Sequence, residues 1–377
     1  MRNRRITMKK QVVAMLMALT MLAGAVTGCG SGSETQTNET QENEAVTEEA
    51  ESTGAQTEDD KYADTITLVW YPNESADDFS VSRDEVARLV EQATGKKVEQ
   101  KLTTDYAIAI EAVSSGTAQI GCVFGAEGYI QAKNANDAVE PLFVHTGSSG
   151  TLDDAVYYAF FGVKEENAAE YANGSSYSID NIAGKKISFV SNSSTSGFKV
   201  PINSIITHFG ADEKWADLTV DDLMEGGSDA FFKEVLFGGS HQGSLYNLLT
   251  DKADVAAFCD KEVVTYVSLK SGEDKQVGAA YEVKEGADAP FDTIAGESCT
   301  VISSTPVMNG PFVYNSETLS PEDVEAIQAL FTSDEVAENE IMFYPEDAAQ
   351  KGLFKQTGDV RFTLVDDSWY DPIRSMN

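Results

Sequence analysis

Histidine, cysteine and proline are scarce in this chain of 377 residues, at three, four and nine copies, and basic side chains are outnumbered, with 27 Lys and Arg against 62 Asp and Glu. Each shortage closes off a class of function. Phosphate-backbone contacts need clustered Lys and Arg, and at a net charge of −35 with no basic stripe, nucleic acid is not an expected partner. Cys122, Cys259 and Cys299 show no CxxC spacing, and an odd number cannot build a disulfide framework, so they read as small buried hydrophobes. There is no P-loop, no His/Cys metal cluster and no paired-carboxylate motif, so neither cofactor nor metal is expected. A GxSxG elbow is also missing, because Ser194 stands where its first glycine would be.

Long apolar runs are missing too, except near the start. Arg2, Arg4, Arg5, Lys9 and Lys10 precede a run from Val12 to about Val26, which closes with Val26-Thr27-Gly28-Cys29. A charged start, a short apolar core and a small-residue site describe a signal peptide over residues 1–28. A membrane-spanning anchor is the alternative, for which the run is at the short limit. Residues 29–62 are mostly Ser, Thr, Glu, Gln, Asn and Gly with a run of acids. Such a segment buries too little apolar surface to offset its ordering entropy, and like charges extend it, so it is expected to be a disordered tether. That order places the folded part just outside a membrane.

In the body, the chain is richest in information from Lys186 to Pro201, KISFVSNSSTSGFKVP. A β-branched and aromatic run stops at a cluster of hydroxyl residues, and an apolar-periodic segment follows from Ile202 to Phe209. Strand, polar turn and helix are predicted. The first N–H groups of such a helix have no intrahelical partner and carry the positive end of the macrodipole, which suits an oxyanion. An ordinary Ser/Thr cap is the competing reading; four hydroxyls from Ser193 to Ser196 exceed what one cap needs. A second polar cluster, Gly238 to Ser244, opens a helix ending near Thr250, and Asp254 to Cys259 reads as a strand.

Upstream, Asp64–Tyr71, Lys97–Leu102 and Gln119–Phe124 read as strands alternating with helices at Ser82–Ala93 and Ala107–Ser114, the latter capped by Thr103 to Tyr106. This β-α-β-α-β pattern implies a parallel sheet with ligands at the carboxyl ends of its strands. Val139–His145 and Val156–Val163 are further strands, and Ser320-Pro321 starts a helix through Phe331.

Thr104-Asp105-Tyr106, the Ser194-Thr195-Ser196-Gly197-Phe198 run with Pro201, Gly239-Ser240-His241 followed by Asp254-Val255-Ala256, and the closing Tyr370-Asp371-Pro372-Ile373-Arg374 together resemble the motifs of phosphonate/phosphite-binding proteins of ABC importers. Val26 to Cys29 likewise resembles the lipobox of bacterial lipoproteins, which would make Cys29 the lipidated anchor at the outer face of the cytoplasmic membrane. The family resemblance implies an α/β, two-lobed periplasmic-binding-protein fold of type II, each lobe a parallel-type sheet flanked by helices, with a cleft between. Residues 63–158 and 305–377 would form the first lobe and residues 159–304 the second. It implies capture of a small phosphorus oxyanion by hinge closure and delivery to a membrane permease, without catalysis.

Carried over by position, Ser194, Thr195 and Ser196 form the core of the site, Tyr106 donates from the first lobe, His241 from the second, and Tyr157 fits the tyrosine before the crossover strand. For Tyr157, core packing is the alternative, and for His241 a surface imidazole. Relatives that take aminoalkyl phosphonates meet the ammonium with acids. This chain offers Asp260 and Glu262 and has Asn309-Gly310 where the second acid would be, so a ligand without an amino group is expected: phosphite, methylphosphonate or phosphate. Two rivals stay open, a hydrolase using Ser196 or Ser240 with His241, and a ligand sensor for a membrane receptor.

Overall fold

The computed structural model of the chain describes residues 62–72, 79–346, 348 and 352–376. The expected signal peptide, Cys29 and all of the expected tether but Tyr62 lie outside the described residues. No helix among the described residues is long and apolar enough to cross a membrane.

Two sheets organise the body. In chain order the first draws on β1 (Thr65–Trp70), β2 (Lys97–Leu102), β3 (Ile120–Cys122) and β4 (Val139–His145). The second is built from β5 (Val156–Lys164), β6 (Lys186–Phe189), β7 (Glu234–Phe237), β8 (Val255–Cys259), β9 (Val267–Ser271), β10 (Ala280–Val283) and β11 (Ser298–Met308). The chain then returns to the first sheet with β12 (Phe312–Asn315) and β13 (Phe362–Thr363). The first sheet has the order β13-β4-β12-β3-β1-β2, and the second β9-β10-β11-β5-β8-β6-β7.

Both sheets are mixed, and the reason lies in how the chain travels. β1 pairs in parallel with β2 and β3, and β6 with β7 and β8, as strand-helix-strand units require. The strands next to the crossings run antiparallel, because a chain that leaves one sheet must come back. β5 and β11 pair from Cys299 opposite Lys164 to Met308 opposite Val156, with a register shift between Val301 and Ser303.

The helices that position the site follow from local signals. α1 (Ser80–Thr94) ends at Gly95, whose φ of +68° lets its N–H reach the Glu91 carbonyl at 2.8 Å. α2 (Tyr106–Ser114) is capped by Asp105, which accepts the Ala107 N–H at 2.7 Å. α3 (Ala126–Ala135), α4 (Val200–Phe209), α5 (His241–Leu249) and the short α6 (Asp260–Val263) follow. α7 (Pro321–Phe331) has Ser320 as its cap and proline in its first turn, as the sequence predicts.

α1 and α7 cover one face of the first sheet, burying Val86, Leu89, Ile327 and Phe331 against Leu68 and Phe143. α2, α3 and the C-terminal Tyr370 and Ile373 belong to the other core cluster, which also contains Val190 and Val200 from the second sheet's lobe. At roughly 1.5–3 kcal/mol per buried side chain of this size, such continuity joins residues of both sheets in one core.

Candidate ligand-binding site

β6 ends at Phe189, and the chain turns into a single wide helical turn, Thr195–Lys199, that runs on into α4. Wide turns of this kind are rare and concentrate at functional sites. Ser194 caps it, its Oγ accepting the Gly197 N–H at 3.1 Å. The neighbouring hydroxyls reach across to the other lobe. Thr195 Oγ1 accepts the Glu127 N–H at 2.8 Å, in the first turn of α3, and Ser193 Oγ donates to Gln131 Oε1 at 2.8 Å. Tyr71 donates its hydroxyl to the Ser193 carbonyl at 2.8 Å. These bonds form a latch between the lobes. A hydroxyl that accepts an N–H still has its own proton, so Ser194 and Thr195 each keep one donor.

Beside the latch lies a cleft cavity of about 430 Å³ whose wall includes Ser194, Thr195, Ser196, Tyr157, His241 and Asp260. Ser196 is buried beside Tyr157 and Cys259, which line the same cavity. Burial pushes both of those groups up, so each stays protonated and able to donate. The floor also holds Val123, a β-branched residue at a φ of +56°, a conformation that disfavours L side chains by about 1–2 kcal/mol. Strain of this sort collects at functional sites.

His241 starts α5, where Ser240 Oγ accepts the Gly243 N–H at 3.0 Å. The imidazole is 3% exposed, and its Nδ1 has no hydrogen-bond partner. Burial pushes its pKa down to about 3, so it is neutral at physiological pH. A buried polar nitrogen without a partner in a cavity wall costs about 1–3 kcal/mol, and a ligand oxygen would relieve it.

Two expected site residues also have partners within the protein. Tyr106, at the first position of α2, is buried edge-on to Tyr71 with ring centroids 4.5 Å apart, and its hydroxyl lies within electrostatic reach of the cavity residues Glu262, Cys259 and Tyr157. Tyr71 itself lines the cavity. Asp260 lies in the wall but is already engaged, accepting the Tyr158 N–H at 2.8 Å and pairing with Lys275 at 3.0 Å.

Lys261, at the carboxyl end of β8, was missed by the sequence reading. Its Nζ lies 2.7 Å from His145 Nε2 and 2.7 Å from Asn309 Oδ1, and 4.8 Å from the centre of the Tyr157 ring. All four residues line the cavity. Burial pulls the ammonium's pKa down to about 8, against the opposing pull of Asp260 and Glu262. His145 is held well below the usual imidazole range, by burial first and the Lys261 charge second. Flanked by two acids, this lysine reads as a surface ion pair; only its place just past a strand's carboxyl end marks it.

A family model described as the periplasmic substrate-binding protein of phosphonate ABC transporters matches residues 68–370. The chain belongs to that family. It is thus the extracytoplasmic, substrate-binding component of an ABC importer, which works with a permease. A relative, the phosphate-import protein PhnD of Mycolicibacterium smegmatis, is 25% identical over 276 residues, 72% of this chain and 73% of that protein. Solved structures of phosphonate-type binding proteins share the fold. One is the binding component of an ABC phosphonate transporter from Pseudomonas aeruginosa, with a TM-score of 0.54 at 16% identity over 82% of this chain and 84% of that one. Another is PhnD1 of Prochlorococcus marinus in complex with methylphosphonate, with a TM-score of 0.55 at 14% identity over 82% and 96%. Both are periplasmic binding proteins of type II, and the mixed α/β architecture here is of that type.

Proposed function

We propose that this phosphonate-family protein captures a small phosphorus oxyanion in the cavity between the start of α4 and His241. The observation that carries the reading is the buried, unpartnered Nδ1 of His241 in the same wall as Ser196 and Tyr157. The N–H groups that open the wide turn at Thr195, the remaining hydroxyl protons and Lys261 supply further donors. Charge-assisted hydrogen bonds contribute roughly 1.5–3 kcal/mol each, so a handful supports micromolar or tighter binding. The ligand of the Mycolicibacterium relative, phosphate, is of this class. Lobe closure around the anion would present the form that the permease recognises.

Lipid attachment at Cys29 would hold the protein at the outer face of the cytoplasmic membrane. A Cys29→Ala protein should then appear in the soluble fraction, and one that sediments with membranes like its parent would argue against the anchor. A hydrolase is less well supported, since Ser240 is engaged as a cap and the His241 Nδ1 holds no hydroxyl. Whether the loaded protein feeds an importer alone or also signals to a receptor is a matter of partners.

A thermal-shift screen against phosphate, phosphite, methylphosphonate and sulfate tests the reading. At a hundredfold excess over Kd a ligand adds about 2.7 kcal/mol to folding. A raised midpoint with at least one phosphorus oxyanion, and no turnover of a phosphate ester, is expected. No shift with any of them would overturn it.

A further inference from the structure

Lys261 stands out among the charged groups of the cleft because of what holds it. Asp260 next door is matched by a cation in the ordinary way, pairing with Lys275 at 3.0 Å. Lys261 Nζ instead has two neutral acceptors at 2.7 Å, His145 Nε2 and Asn309 Oδ1. Burial keeps the His145 ring uncharged, with the lysine's own charge adding to the effect. Asn309 is 1% exposed and fixed in place, its Nδ2 donating to the His145 carbonyl at 2.9 Å and its N–H to the Ala155 carbonyl at 2.9 Å. The two acceptors orient the ammonium and add no counter-charge of their own to the pull of the neighbouring Asp260 and Glu262 carboxylates.

An ammonium uses two of its three N–H donors in this arrangement and keeps the third. His145 ends β4 of the first sheet and Asn309 lies in the segment just past β11 that leads back to that sheet, while Lys261 follows β8 of the second sheet. Its charge is therefore fixed where the lobes meet, in the cavity that also contains Ser196 and His241. Asn309 is decisive for this. An aspartate there would pair with Lys261 and neutralise it, whereas an asparagine orients the same ammonium and leaves its charge to a ligand.

We propose that Lys261, oriented by His145 and Asn309, is the specificity-determining residue of the cleft: its ammonium binds an anionic phosphorus oxygen and excludes ligands that bring an ammonium of their own. The assignment rests on the phosphorus-oxyanion reading above. The ligand class it names is phosphate, phosphite and phosphonates whose substituent is uncharged. An aminoalkyl phosphonate would place a second cation near Lys261 in a desolvated cleft where Asp260 already pairs with Lys275.

Calorimetry on the ligand-stripped protein with methylphosphonate and 2-aminoethylphosphonate tests this. The parent should bind methylphosphonate at least tenfold more tightly. Lys261→Gln should weaken methylphosphonate at least tenfold and bring the two affinities together. Asn309→Asp should narrow the same ratio by pairing with the lysine. Lys261→Arg, which keeps the charge, should preserve the preference and controls for a merely structural loss. A parent that binds 2-aminoethylphosphonate as tightly as methylphosphonate, or a Lys261→Gln protein with an unchanged ratio, would overturn the assignment while leaving oxyanion binding intact. A folded parent that binds no phosphorus oxyanion would overturn the oxyanion reading itself, and this assignment with it.

Discussion

The N-terminal ends of α4 and α5 face the same cavity, but their polar groups are committed in opposite ways. Ahead of α4 the hydroxyls of Ser193, Ser194 and Thr195 are each held by a protein partner, and two of those partners, Gln131 and the Glu127 N–H, belong to the other lobe. At the start of α5 the Ser240 hydroxyl satisfies the helix, and the neighbouring imidazole nitrogen is buried with no partner from the protein. The first is a latch with donor protons to spare, and the second leaves a hydrogen-bonding group for which the protein supplies no partner. Density of hydroxyls in a sequence therefore measures how much backbone needs capping as well as how much ligand can be held. The more direct sign of a ligand is a buried polar atom whose partner the protein does not supply.

The largest effect should come from replacing that imidazole with hydrocarbon. His241→Leu is expected to lower methylphosphonate affinity about tenfold to a hundredfold, the equivalent of one strong hydrogen bond. The ligand-free protein should melt no lower than its parent, since an unsatisfied nitrogen is removed. Unchanged affinity by calorimetry would erase the contrast between the two helix ends.

Next comes the latch. Thr195→Val keeps the shape but removes the acceptor for the Glu127 N–H, so both stability and affinity should fall, stability by about 1 kcal/mol. Thr195→Ser should restore both. If Thr195→Val lowers affinity alone, with an unchanged melting midpoint, Thr195 is a ligand contact and not a latch.

Acid should act on the α5 side. The His241 pKa is about 3 in the folded protein against an ordinary 6.5, and His145 is held low as well. Between those values the unfolded chain binds more protons than the folded one. Stability is thus complete above about pH 6.5 and falls as pH drops below it, by up to ~1.4 kcal/mol per pH unit for each such group. In His241→Leu the decline from about pH 6.5 to roughly 4.5 should be shallower in denaturant titrations. Equal slopes in parent and variant would mean that the imidazole is not buried as described.

The smallest effect is expected at Gly125, where an added Cβ would lie 2.8 Å from Thr195 Oγ1. Gly125→Ala should press the two lobes apart at the latch and weaken binding by about threefold, with a small loss of stability. Tighter binding in this variant would show that the latch opposes closure.

Much of the fold was legible because its signals are local. Asp105, Gly95 and Ser320-Pro321 mark helix ends within one turn of sequence, and β4, from Val139 to His145, stands where its apolar run does. The hydroxyl run and His241 were legible as polar helix starts for the same reason. What could not be read were the facts that depend on what stands opposite. Tyr106 meets Tyr71 edge-on because α2 packs against β1, which no spacing along α2 reveals. Thr195 is a latch only because Glu127, 68 residues away, presents its N–H there. Lys261 lies between two acids in sequence, yet in space its nearest partners are His145 and Asn309, 116 and 48 residues distant. Asn309 was noticed for the acid it is not; the lysine it holds gives it a role of its own.

The central claim is that the orphaned nitrogen of His241 belongs to the ligand, and a crystal structure of the protein soaked with methylphosphonate tests it most directly. The account predicts a phosphonate oxygen about 2.7–3.2 Å from His241 Nδ1, with Ser196 and Lys261 on the other oxygens. A phosphonate bound elsewhere, with His241 Nδ1 still unpaired, would contradict it.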